Sequence, residues 1–120
     1  MGKGFKNLQV WQRARDLAID VYRITGEGCF KRDYGMTDQM RRSAVSIPSN
    51  IAEGDERDTD KDAIRFLYIA KGSLAELRTQ LEIANRVGHV EQAIFQDLDE
   101  KAVTIGKMLG SLIKSRSKML

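Results

Sequence analysis

Residues 39–57, QMRRSAVSIPSNIAEGDER, hold the chain's single proline inside a helical apolar pattern and close on a glycine and a run of charge. At roughly 100° per residue, Met40, Ala44, Ile47 and Ile51 fall on one line with Val45, Pro48 and Ala52 beside it. That wide apolar arc needs a core to cover it. Gln39, Ser43, Ser46, Asn50 and Glu53 make the opposite, polar side. Pro48 has no N–H for the Ala44 carbonyl and its ring crowds that oxygen, so a continuous helix is expected to kink there. Two separate helices would leave Ile47 as an N-cap without a side-chain oxygen, which favours one bent helix over about residues 37–53. Thr37 is its expected N-cap, Asp38 sits at the positive end of its dipole, and Gly54 supplies a left-handed ending. Arg41 points into the apolar arc beside Val45 and Ala52, where an unpaired charge is costly, so it must find a carboxylate or helix-end carbonyls. Arg42 points to the polar side and is a candidate surface contact.

Toward the N-terminus, Val10, Ala14, Leu17, Val21 and Ile24 recur at three and four residues beside a second line of Trp11, Ala18 and Tyr22, an amphipathic helix over about residues 7–25. Gly26 and Gly28 end it. The following loop is expected to fold Cys29, Phe30 and Tyr34 over the end of the bundle, with Cys29 an inert, part-buried thiol although Lys31 and Arg32 lie nearby. Toward the C-terminus, Thr59 with Asp62 resembles a capping box and opens a third helix over about residues 60–87. Its seam, Ala63, Leu67, Ala70, Leu74, Leu77, Leu81 and Ala84, suits antiparallel bundle packing. Phe66, Ile69 and Ile83 lie off that seam, more apolar surface than a monomer's outer helix needs, so Phe66 and Ile69 are candidate oligomer contacts. Gly72 in mid-helix costs about 1 kcal/mol relative to Ala and is tolerable where it allows a close helix contact. Gly88 and a short turn at His89 and Val90 lead to an antiparallel fourth helix over about residues 91–115. Ile94, Leu98, Ala102, Ile105, Leu109 and Leu112 are its expected core line. Gly106 and Gly110, one turn and two turns after Ala102, leave a smooth groove for another backbone, a second candidate oligomer contact. Ser115 to Leu120 are expected to fray.

A chain of 120 residues, 42% hydrophobic and 31% charged, is of single-domain size, so residues 1–120 read as one all-α, antiparallel up-and-down four-helix bundle. Cys29 has no partner for an internal disulfide, and the opening MGKGFKN leads into no apolar signal-like run, so a reducing cytoplasm is expected. No apolar run approaches the roughly 20 residues that span a bilayer, and no membrane association is expected. Met1-Gly2 hints at N-terminal lipidation, but Lys6 stands where that motif requires Ser or Thr. The net charge of +3 is unevenly spread: Lys101, Lys107, Lys114, Arg116 and Lys118 follow one another with no acid between them, while acids dominate residues 53–62. Such lopsidedness favours polyanion binding or head-to-tail association.

The order of the four helices, with YGMTDQMRRSAVSIPSNIAEG, then FLYIAKGSLAELRTQLEIA and finally GKMLGSLIK, resembles the 23S rRNA intervening-sequence proteins, also called S23-type bundles. The likeness runs from FKNLQVWQRARDLAIDVY onward, and its most specific part is the proline-centred IPSNIAEG followed by Arg57. The resemblance implies an up-and-down bundle that assembles with itself, typically as a pentameric ring. More distantly, the chain is similar to the accessory variability determinant proteins of diversity-generating retroelements, bundles that bind nucleic acid and a reverse transcriptase. Asp55 and Glu56 depart from the uncharged residues many members carry before the arginine, which argues against a phosphate contact at that loop.

Enzymatic activity is not expected. His89 is the only histidine, with no ligand at metal spacing and no glycine-rich phosphate loop elsewhere. The acids from Glu53 to Asp62 do not follow a calcium-loop pattern. No cofactor or metal is implied. The sharper reading is sequence-nonspecific binding of RNA or DNA through a basic surface of Lys101, Lys107, Lys114, Arg116 and Lys118, with Arg42 as a further contact. The bland reading of the same residues is a solvated lysine face whose cations sit favourably near a helix C-terminus. The competing function is a structural module whose ring scaffolds a protein partner and touches no nucleic acid.

Overall fold

The computed structural model describes residues 4–120; Met1-Gly2, weighed above as a lipidation signal, lies outside them. Four helices follow in order: α1 over Gln9–Thr25, α2 over Tyr34–Asp55, α3 over Asp60–Arg86 and α4 over Gln92–Ser117, with short 3-10 turns at Phe5–Asn7 and Gly28–Lys31. Each helix packs on its sequence neighbours and α1 closes against α4, giving an antiparallel four-helix bundle of 46 × 21 × 19 Å. Short connections force this arrangement, because a chain that reverses in a few residues must lay consecutive helices side by side. The α3 seam is buried over its whole length, from Ala63 to Ala84. Met40, Ala44, Ile47 and Ile51 of α2, and Val10, Ala14, Leu17 and Val21 of α1, meet it in one core. On α4 the buried line is Leu98, Ala102, Ile105, Leu109 and Ile113. Ile94 stays exposed and Leu112 is only half-buried, because a straight helix drifts from a strict seven-residue repeat over four turns.

Helix α2 runs through Pro48 as a single helix, as the poor capping chemistry of Ile47 requires. Its ends differ from the expectation. The N-cap is Asp33, whose Oδ1 accepts from the Met36 N–H at 3.1 Å, so the helix begins three residues before Thr37. Thr37 instead donates its hydroxyl to the Phe30 carbonyl at 2.9 Å and ties the preceding turn down. Gly54 does not end α2 in a left-handed conformation: it lies inside the helix and is buried, and positive φ occurs only at Gly4, Gly28 and Gly88 among the described residues. A Cβ at Gly54 would stand 3.0 Å from the Ala63 carbonyl oxygen and 3.3 Å from the Phe66 Cβ, so the glycine lets the start of α3 fold back closely.

The middle of the polar side of α2, from Ser43 to Asn50, is drawn into the contact with α3, while Gln39 and Glu53 at its ends are exposed. Ser43 is buried and donates to Gln80 at 2.7 Å, and Ser46 shares a 2.8 Å hydrogen bond with Ser73 of α3. Asn50 donates to the Ser46 carbonyl at 2.8 Å. Small hydroxyl side chains satisfied across the contact let α2 and α3 lie close without stranding a polar group. Phe30 covers the bundle end as expected, but Cys29 and Tyr34 are exposed, so Cys29 is not part-buried. Gly72 has open space where a Cβ would stand and serves no close contact among the described residues. Thr59 caps α3 as expected, accepting from the Asp62 N–H at 3.2 Å. Helical order continues to Ser117 instead of fraying from Ser115.

Candidate nucleic-acid interface

The cations of α4 divide by what faces them. Lys101 is held between Asp20 of α1 at 3.2 Å and Asp97 at 3.1 Å, and these carboxylates, Asp97 first, raise its pKa above the ordinary lysine value. Arg116 reaches back to Asp60 at 3.2 Å and Asp55 at 3.6 Å, pinning the end of α4 to the α2–α3 connection. Those two acids are thereby committed to an arginine. Lys107, Lys114 and Lys118 differ: all three are exposed and none carries an ion pair among the described residues. Their spacing of seven and four keeps them on one line of the helix. Arg42, on α2, is paired with Asp38 at 3.1 Å.

A further lysine joins the line through the fold. Residues equally far from the turn at Gly88 and His89 lie level on α3 and α4, as the two-pronged pair of Arg78 with Asp99 at 2.8 and 3.1 Å shows. By the same register Lys71 comes to the level of Gly106, next to Lys107, and both lysines line a cleft between the two helices. Sequence reasoning missed Lys71, although the length of the α3–α4 turn carried the signal.

The remaining candidates are placed as follows. Phe66 is half-buried with Arg57 and Arg65 stacked on its ring, 4.5 and 4.7 Å from the centroid, and Arg57 also holds Glu53 at 2.7 Å. Ile69 is exposed. Gly106 faces α3, where a Cβ would come 3.3 Å from Leu74, whereas Gly110 has open space beside it. Arg41 bridges two helices: its Nε donates to the buried Thr25 hydroxyl at 2.9 Å, its Nη2 reaches the Tyr22 carbonyl at 3.5 Å, and its guanidinium lies 4.5 Å over the Tyr22 ring. Both acceptors belong to the C-terminal end of α1; the Tyr22 carbonyl is of a kind the sequence demanded, whereas the shorter bond goes to a hydroxyl. At the same end of the bundle His89 Nε2 lies 3.0 Å from Asp33 Oδ2 and its ring meets Phe30 edge-on. The Met36 N–H, and after it His89, hold the Asp33 carboxyl below its usual pKa. Among the described residues no helix is long and apolar enough to cross a membrane.

An antiparallel four-helix bundle whose last helix carries both carboxylate-paired cations and a line of unpaired lysines is the class that these features define. The chain belongs to the family of 23S rRNA-intervening sequence proteins, whose model matches residues 6–111. It is similar to the crystal structure of a protein with unknown function from the S23 ribosomal protein family of Bacteroides thetaiotaomicron. The identity is 25% and the TM-score 0.81, with 88% of this chain and 98% of that chain covered. No curated protein matches the chain.

Proposed function

We propose that this protein is a non-enzymatic, self-associating bundle that binds RNA or DNA in the cytoplasm, without reading base sequence, through the unpaired lysines of α4 and Lys71. The observation that carries this is the contrast along α4: Lys101 and Arg116 are neutralised by carboxylates, while Lys107, Lys114 and Lys118 are left free. Exposed lysines without carboxylate partners can neutralise backbone phosphates and release the counterions condensed on the nucleic acid without first breaking an ion pair, which supports sequence-independent binding. The family name, with its reference to an intervening sequence of 23S rRNA, makes structured RNA the first ligand to try. Self-association would multiply the lysine line and strengthen its field.

The test is a salt titration of binding to a structured RNA and to duplex DNA, repeated with Lys107, Lys114 and Lys118 changed together to Glu. Affinity at low salt that falls steeply with salt is expected, with the slope of log K against log salt reduced by about 2–3 in the variant. No binding at low salt overturns the reading. The scaffold reading, in which a protein is held and no nucleic acid is touched, is favoured by an apolar groove between α1 and α2 of about 640 Å³. It gains if that titration is flat.

A further inference from the structure

The groove between α1 and α2 holds about 640 Å³, and among the described residues no helix covers it. Its walls are Trp11, Ala18, Ile19 and Tyr22 on one side and Val45 and Pro48 on the other. Ile19, Tyr22 and Val45 are 41%, 47% and 42% exposed, side by side instead of scattered, which is unusual for a surface left to water. Among the described residues the charged ones lining it are Arg15 and Arg23, so the charge on its walls is positive. Arg15 is engaged by Asp16 and by the Trp11 ring. Arg23 has no ion pair among the described residues.

A second exposed apolar line lies on α3. Ile69, Glu76 and Ile83 follow at intervals of seven, with both isoleucines more than two-fifths exposed. Glu76 has no ion pair among the described residues. Beside this line stand Phe66, close to Gly54, and Gln80, bonded to Ser43, so it belongs to the face of the bundle shared by α2 and α3. The groove and the line therefore occupy neighbouring faces that meet along α2. Their lengths correspond: Trp11 to Tyr22 spans about 16 Å and Ile69 to Ile83 about 21 Å at 1.5 Å per residue. Their charges are opposite, with a free arginine at the groove and a free carboxylate midway along the line.

We propose that the α1–α2 groove of one copy receives the Ile69–Glu76–Ile83 line of α3 from a second copy, with Arg23 set against Glu76. This rests on the self-association proposed above and names the surfaces that carry it. The contact is heterologous: each copy offers a groove and a line, and using one leaves the other free for the next copy. Because the two surfaces lie on neighbouring faces, successive copies turn relative to one another instead of stacking in line. Burying Ile19, Tyr22 and Val45 against Ile69 and Ile83 supplies the apolar drive, and the charges fix orientation.

The test uses the full chain in light scattering at high micromolar concentration, with helical content followed by circular dichroism. One variant blocks the groove, Ile19→Asp with Val45→Asp; another blocks the line, Ile69→Asp with Ile83→Asp. All four positions are exposed in the single chain, so both variants keep the helical content of the wild type. The wild type is expected to assemble, each variant alone to run as a 13.6 kDa monomer, and their equimolar mixture to give a dimer that grows no further, because only one intact groove meets one intact line. Arg23→Glu weakens assembly of the otherwise wild-type chain, and adding Glu76→Arg restores it. A wild type that assembles while the groove variant assembles equally well overturns this pairing and leaves self-association standing. Two monomeric variants that fail to combine overturn it as well, because a symmetric contact is then at work. A monomeric wild type overturns self-association itself and with it this inference, and points to a different protein as the occupant of the groove.

Discussion

Replacing Gly54 by Ala and, separately, Gly72 by Ala makes the same chemical change at two helical positions with opposite surroundings. Gly72 lies in the middle of α3, exposed, with nothing within 4 Å of the added methyl. Alanine there restricts the unfolded chain and improves helix propensity, a gain of about 0.8–1 kcal/mol. At Gly54 the methyl would stand 3.0 Å from the Ala63 carbonyl oxygen and 3.3 Å from the Phe66 Cβ, and a backbone oxygen cannot step aside without moving the start of α3. Overpacking of this kind costs about 1–3 kcal/mol, so after a smaller propensity gain near the helix end a net loss of about 1 kcal/mol is expected. The two variants should therefore lie about 2 kcal/mol apart on either side of the wild type. In urea, with slopes of about 1–3 kcal/mol per molar, that separates their midpoints by on the order of 1 M. Protein concentration must be held fixed, since assembly adds to apparent stability. Stabilisation of equal size in both variants would refute the close approach of α2 and α3 at Gly54.

Three further outcomes follow from the side-chain contacts. Arg41→Met should lower stability by about 1–2 kcal/mol by removing a charged hydrogen bond to Thr25 and the contact with the Tyr22 ring. A double-mutant cycle with Thr25→Val checks it, and a coupling of zero would show the contact to be idle. Lys101→Met should change stability by less than about 1 kcal/mol, as exposed ion pairs do, and leave nucleic-acid affinity within about twofold, because that lysine is already neutralised; a loss as large as that of Lys107→Met would erase the distinction drawn along α4. The Asp33 carboxyl titrates below its ordinary value of 3.8 in the folded state. Its contribution is complete above the unfolded-state pKa and disappears as pH falls through the lower, folded one. Acid unfolding followed by circular dichroism should accordingly show a steeper loss below about pH 4 in the wild type than in Asp33→Asn.

The amphipathic patterns of α1, α3 and α4 state the fold outright, since three- and four-residue spacing places a face on a helix whatever surrounds it. The Thr59 cap was equally legible, because a cap is made by residues within one turn. The seam of α3 came through entire, from Ala63 to Ala84, and only Leu112 and Ile94 of the α4 line were displaced, where an accumulated drift in phase turns the helix ends away. The need of Arg41 for a partner could also be deduced, as its position in an apolar arc leaves a guanidinium no cheap alternative.

What the pattern could not supply is the identity of the partner across space. Serines 43 and 46 read as a solvent face because a hydroxyl carries no mark of whether water or another hydroxyl satisfies it; Ser73 and Gln80, far along the chain, settle that. Gly54 read as a helix stop until the return of α3 showed a close approach. The five cations after Glu100 looked alike in one dimension, and only the placement of Asp20, Asp55, Asp60 and Asp97 separates the neutralised pair from the free three. Local periodicity is a property of the chain and is written in its order. The pairing of charges and the covering of grooves depend on distances between segments, and those exist only once the four helices have packed.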